Sequence, residues 1–385
     1  MDGFIKRQLA ETITEAARYF SVICLTGPRQ SGKSTLIHNL FADYRYYSME
    51  DYEVKAFAES DPVSFLNNSE DGMVIDEIQR VPMLLSYIQG IVDSNPQRRF
   101  VISGSSNFLL LKNISQSLAG RVGVFELLPM SYAEMKDRYA IKPLDEILYE
   151  GMYPAVCSGK NIARFMYPSY VKTYLDKDVR ELINVKDMSL FHRFLKLCAG
   201  RIGSVFNASE LAGDVGVSSH TIEAWLSVLE ASYIIVRLQP WYENTRKRLV
   251  KSPKIYFTDT GLACYLLSIE SPTQLSTDKM RGHLFENFVV MEALKRRYNE
   301  GRESNIFYYR DAKKNEIDLL VTRGDALECY EVKSSQTYNR SFEDVLRHAD
   351  TLLTTSVCRK VVVYAGDFEN TAGEVEILNF RNLAL

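Results

Sequence analysis

Paired cysteines, clustered histidines, long apolar runs and a strong net charge are all missing from this chain of 385 residues, and each absence removes a class of function. The six cysteines (24, 157, 198, 264, 329 and 358) form no C-x-x-C pair. Most sit in apolar runs, so they read as reduced, buried side chains of a cytoplasmic protein rather than as a disulfide or zinc framework. The five histidines are dispersed, and no zinc site is visible. No apolar run reaches about 18 residues, so no membrane span is expected. The stretch Met1–Arg7 lacks the apolar core of a signal peptide. A net charge of −3 does not announce a nucleic-acid binder, and any such surface must be local.

What is present points to a globular protein with more than one core. Hydrophobic residues make up 46% and charged residues 25%, and the length exceeds what one ordinary core organises. The stretch around which the chain is arranged is Gly27-Pro28-Arg29-Gln30-Ser31-Gly32-Lys33-Ser34-Thr35, which fits G-x-x-x-x-G-K-[ST]. An apolar run, residues 21–26, precedes it and reads as a buried strand; residues 36–41 follow with helical spacing. That strand–loop–helix setting is what a phosphate-binding loop requires. Glycines let the backbone wrap an anion with its N–H groups. Lys33 would reach the β- and γ-phosphates of ATP, and the Ser34 hydroxyl would ligate Mg2+.

A second apolar strand ends in Asp76-Glu77, with Asp76 43 residues after Lys33. Asp76 would hold the Mg2+ shell and Glu77 would polarise the attacking water. A further strand, residues 98–102, ends in small polar residues. Ser105 and Ser106 are candidates to sense the γ-phosphate, although a plain turn suits each equally well. Arg121 precedes a fifth strand. It reads either as an arginine finger for a neighbouring subunit or as a solvated surface residue.

Gly27–Thr35, Met73–Gln79, Val101–Leu110 and Ser117–Arg121 together resemble the AAA+ type of P-loop ATPase. More narrowly, the chain is similar to a widespread prokaryotic group that joins this ATPase to a C-terminal domain of unknown function. The resemblance implies a parallel sheet with the P-loop strand central, and ATP sites between subunits of a homo-oligomeric ring. Strands alternating with helices give an α/β fold independently.

In the middle, residues 207–226 read as helix, tight turn, helix, with Asn207 and Ser218 or Ser219 as caps and Gly216 in the turn. Two strands follow, residues 232–238 and 254–257. Between them, residues 245–254 hold five basic side chains and no acid. This is the pattern of a winged helix with a basic wing for DNA phosphates. The second helix offers His220, Thr221 and Glu223 but no Arg or Lys, so sequence-specific readout of DNA is not expected. Residues 161–184 read as helical, with Tyr170, Tyr174 and Leu175 on one face.

The last third reads as a helix from Arg281, three strands, then a helix from about residue 341. Asp318 starts the second of these strands, and Glu331 follows 13 residues later in the next. Strand alternation puts Glu331 and Lys333 on one face. Two carboxylates can hold Mg2+ or Mn2+, Glu286 on the preceding helix could complete the site, and Lys333 could orient a metal-bound water. Asp318, Glu331-x-Lys333 and Glu286 resemble the PD-(D/E)xK nuclease superfamily, without its proline. That resemblance implies a restriction-endonuclease-like α/β domain.

The expected organisation is an ATPase domain over 1–150, a helical and winged-helix domain over 151–267 and a nuclease-like domain over 279–385. The expected function is Mg2+-dependent ATP hydrolysis coupled to nucleic-acid processing. The alternative is a nucleotide-controlled switch or protein remodeller whose C-terminal domain binds partners without cutting.

Overall fold

The computed structural model describes residues 5–69, 72–105, 114, 117–175, 187–242 and 252–383. Ser106, the residues after Leu175 in the helix read over 161–184, and Arg246, Lys247, Arg248 and Lys251 of the basic stretch lie outside the described residues. The chain forms two compact units. The first comprises Met1–Met130, Ala231–Tyr233 and Tyr298–Glu303; the second comprises Ser131–Glu230, Ile234–Arg297 and Ser304–Leu385.

The first unit is built on a parallel sheet of five strands, β1 (Val22–Thr26), β2 (Arg45–Ser48), β3 (Met73–Asp76), β4 (Phe100–Gly104) and β5 (Val122–Glu126), ordered β2-β3-β4-β1-β5. Every residue of β1, β3 and β4 is buried. Continuous burial is what strands covered on both faces require, and it explains the unbroken apolar runs in the sequence. One core holds Val22, Cys24, Ile75, Leu84, Ile88 and Ile102; another holds Ile23, Leu25, Ile37, Val74 and Val101. Alternate residues of the same strands thus face the two layers. Short local signals fix the connections. Asp51 caps the helix Tyr52–Ser60 by accepting from the amides of Glu53 and Val54. Asp61 caps Pro62–Leu66, where proline occupies the first turn. Because all five strands are parallel, the ends of β1, β3 and β4 open on one edge, where ligands of such sheets bind.

The second unit contains the middle and C-terminal segments together. Asn207 caps the helix Ala208–Val215, Gly216 takes φ 89°, and Ser218 Oγ accepts from the amide of Thr221 as the helix Ser219–Ala231 begins. The expected caps and turn are therefore in place. An antiparallel pair follows, β6 (Ile235–Leu238) and β7 (Lys254–Phe257). The long helix Arg281–Asn299 leads to a five-stranded mixed sheet. It comprises β8 (Ile306–Arg310), β9 (Glu316–Arg323), β10 (Ala326–Lys333), β11 (Ser356–Tyr364) and β12 (Glu376–Asn379). β8, β9 and β10 are antiparallel neighbours, while β10–β11–β12 run parallel. Helical turns from Arg340 to Leu352 make the crossover that a parallel pair needs.

Candidate functional site

Two groups of side chains carry chemistry, one in each unit. In the first, the P-loop leaves β1 and enters the helix Lys33–Leu40. Gln30 (φ 61°) and Gly32 (φ 95°) are left-handed, a conformation that turns successive N–H groups toward one point. At Gly27 (φ 142°) a Cβ would lie 2.2 Å from the carbonyl oxygen of Leu127, so only glycine fits. Arg7 Nη1 and Nη2 donate to the carbonyls of Ser31 and Leu128, both at 2.7 Å, and pin the loop from behind. Lys33 Nζ donates to the carbonyls of Gly27 and Pro28, each at 2.9 Å.

Asp76, at the C-terminal end of β3, is the hub. Its Oδ2 accepts from Ser34 Oγ at 2.7 Å and from the Tyr46 hydroxyl at 2.6 Å. Its Oδ1 accepts from Ser103 Oγ and from the amide of Glu77 at 3.0 Å. Burial opposes the charge on Asp76, but the hydroxyls of Ser103, Tyr46 and Ser34 and the ammonium of Lys33 outweigh it and hold the carboxyl below its ordinary value. Glu77 is left-handed (φ 56°), and its Oε2 accepts from Gln79 Nε2 and, at 3.3 Å, from Ser105 Oγ. The structure therefore brings Lys33, Ser34, Asp76, Glu77 and Ser105 together. Arg29 sits at the loop's rim, 4.0 Å from Glu50, which also pairs with Arg80 at 3.0 Å. Arg121 is not in the group. It lies just before β5, at the opposite end of the strands, in a forked ion pair with Asp93. Sequence reasoning gave no role to Tyr46 and Ser103, which sat unmarked in their strands. It also gave none to Tyr233, whose hydroxyl meets Thr26 Oγ1 at 2.6 Å and Glu126 Oε1 at 3.0 Å. The hard oxygens of Ser34 and Asp76, already in contact, fit Mg2+.

The second group lies on the C-terminal sheet. Asp318, the third residue of β9 rather than its first, accepts from the amide of Val332 at 2.9 Å. Lys333 Nζ donates to Glu331 Oε1, as their shared face requires, while Glu331 Oε2 is buried with no hydrogen-bond partner among the described residues. Burial, reinforced by the Asp318 carboxylate, pushes the Glu331 carboxyl up to about 8. Burial, with the Glu286 carboxylate beside it, raises Asp318 as well.

Glu286 is close by but already engaged. Lys254 Nζ lies 2.9 Å from its Oε1, and the Tyr256 hydroxyl donates to the same oxygen at 2.5 Å. Lys254 also pairs with Glu316 at 2.6 Å, which Arg310 meets at 3.0 Å. Burial pushes the Lys254 ammonium down, but Glu286, Asp318 and Glu316 carry it above the ordinary lysine value. The expectation that Lys254 belongs to a phosphate-contacting wing is therefore corrected. As first residue of β7 it points inward, and its side chain is 0% exposed. Among the described residues no cluster of three or more His, Cys, Asp or Glu is arranged to hold a metal. With Glu286 neutralised, the full three-carboxylate set does not fit a cation as it stands. The missed signal was alternation: Lys254 and Tyr256 share one face of β7 and both reach Glu286.

Among the described residues no helix is long and apolar enough to cross a membrane. A family profile described as an AAA domain matches residues 19–136. Profiles for domains of unknown function match residues 141–273 (DUF8612) and 281–383 (DUF4143). An uncharacterized protein of Mycobacterium tuberculosis is 29% identical over 368 residues, covering 94% of this chain and 80% of its own. One from Methanocaldococcus jannaschii is 25% identical over 362 residues, covering 83% and 78%. The Walker-type ATPase of Pyrococcus abyssi superposes with a TM-score of 0.50 at 15% identity, covering 68% of this chain and 96% of that one, which is a likeness of fold. With the loop geometry of Gly27–Thr35, the AAA-domain match supports a P-loop ATPase of the AAA type.

Proposed function

We propose that the chain is a Mg2+-dependent ATP hydrolase whose nucleotide state acts on the helix-turn-helix and the C-terminal sheet. The observation that carries this is the 2.7 Å hydrogen bond between Ser34 and Asp76, set beside Lys33 and Glu77. The backbone of Gly27–Thr35 and the Lys33 ammonium would bind the phosphates, and Ser34 and Asp76 would hold Mg2+. That ion, when bound, neutralises phosphate charge. Lys33 meanwhile exchanges its two carbonyl partners for phosphate oxygens. Glu77 orients the attacking water and accepts its proton, with Ser105 and Gln79 steadying the carboxylate.

Arg121 lies away from its own P-loop, so any γ-phosphate it meets belongs to a second copy of the chain. Such a copy would come from the homo-oligomeric ring that the AAA+ resemblance implies. DNA, held without sequence specificity, is the proposed partner of the helix-turn-helix and its antiparallel strands. At the C-terminal sheet the Lys254–Glu286 pair favours a partner-binding role. The unpartnered oxygen of Glu331 next to Lys333 favours a second reading, a metal-dependent nuclease.

The test is Lys33→Ala in the full-length protein, with ATP binding followed by calorimetry and hydrolysis by phosphate release. Both should be lost. Hydrolysis at the wild-type rate would sink the proposal.

A further inference from the structure

We infer that Tyr46 is a positioning residue for the metal ion of the nucleotide site, acting through Asp76. The inference rests on the ATP reading above and adds a residue that the phosphate-loop pattern does not contain.

Tyr46 lies on β2, next to β3 in the sheet, where Tyr46 pairs with Val74 and Ser48 with Asp76. Side chains two residues apart share a face, so a long side chain at 46 reaches diagonally to the carboxylate at 76. Its hydroxyl meets Asp76 Oδ2 at 2.6 Å, the oxygen that Ser34 also uses. The ring packs against His38 of the P-loop helix, with centroids 4.1 Å apart and planes inclined at 31°. Tyr46 therefore touches both elements that would grip the ion: β3, which carries Asp76, and the helix that carries Ser34.

A carboxylate has about four acceptor positions. Ser103 and the Glu77 amide engage Oδ1, while Tyr46 and Ser34 engage Oδ2. Of these four donors, Ser34 is the one that would turn its oxygen to the ion. Tyr46 is then the donor that keeps Oδ2 from swinging away when Ser34 does so. Groups that orient metal-binding carboxylates in this way typically govern metal affinity by one to two orders of magnitude.

Tyr46→Phe removes the hydroxyl and keeps the ring on His38, which makes it the clean variant. The Mn2+ affinity of the ADP-bound full-length protein, read by electron paramagnetic resonance, should fall about tenfold or more. ADP affinity in excess chelator should stay at the wild-type value, while the thermal midpoint falls modestly, because the hydroxyl is one of the donors that stabilise the buried Asp76 charge. Unchanged Mn2+ affinity overturns the inference. So does an equal loss of metal-free ADP affinity, since that would make Tyr46 a support of the whole loop rather than of the metal-binding carboxylate. Wild-type protein that binds neither ADP nor Mn2+ would fail in a different way, by removing the ATP reading itself.

Discussion

Lys254 Nζ lies 2.9 Å from Glu286 Oε1, and the lysine side chain is wholly out of solvent. Two residues that the sequence assigns to different tasks, phosphate binding and metal binding, instead neutralise each other. Removing one member of such a pair leaves a buried charge without compensation, which costs about 3–5 kcal/mol. Glu316, which Lys254 also meets, keeps its pair with Arg310, so the stranded charge is that of Glu286.

Lys254→Met is therefore expected to destabilise the protein by about that amount in denaturant unfolding. The Lys254→Met/Glu286→Gln double variant should recover part of the loss, because neighbouring sites do not add. A single-variant loss below about 1 kcal/mol would show that the pair is solvated in solution, as exposed pairs are.

Glu331 gives a pH dependence of defined sign. Its ordinary value is 4.5, and burial with the Asp318 charge raises it to about 8 in the folded chain. Between those values the folded protein retains a proton that the unfolded chain has released. Stability is thus fullest below about pH 4.5 and falls as pH rises toward 8, by up to about 1.4 kcal/mol per unit. Asp318, also raised, works in the same direction. Glu331→Gln should flatten the decline in unfolding free energy measured from pH 5 to 8. An unchanged slope would mean that Glu331 is ionised in the fold.

The grouping of side chains at the P-loop was more legible in the sequence than that of the acidic cluster, for a physical reason. A phosphate loop must be local: nine consecutive residues supply the glycines, the lysine and the hydroxyl, so Gly27–Thr35 can be read without a fold. Asp76-Glu77 needed only an apolar strand before it. Caps such as Asn207 and turns such as Gly216 are likewise settled within a few residues. Lys254 is different. It closes the basic stretch 245–254, and only β7 docking beside the helix Arg281–Asn299 turns it toward Glu286. Tyr46 and Ser103 were equally hidden, because nothing in a strand's sequence states which carboxylate lies one strand away. What could be read was whatever a short segment decides alone; what could not was pairing between distant segments.

Glu77 offers the most direct test of the hydrolytic chemistry. It is left-handed, an uncommon conformation for a residue with a Cβ, and its amide donates to Asp76 Oδ1 at 3.0 Å. That places its carboxylate next to Asp76, the carboxylate proposed to hold the ion, and Gln79 and Ser105 hold Oε2 on the other side. A residue placed so should matter to proton removal and little to nucleotide binding. Glu77→Gln keeps the shape and the hydrogen-bonding reach but cannot take a proton. The turnover number in steady-state ATP hydrolysis should fall about 10²–10⁴-fold, the range for a lost general base. ATP affinity measured at equilibrium should stay within a few-fold of wild type, because the phosphate contacts proposed for Lys33 and the loop amides do not involve Glu77. A turnover number within twofold of wild type would place the base elsewhere in the site. A large loss of ATP affinity would make Glu77 a structural support of the P-loop.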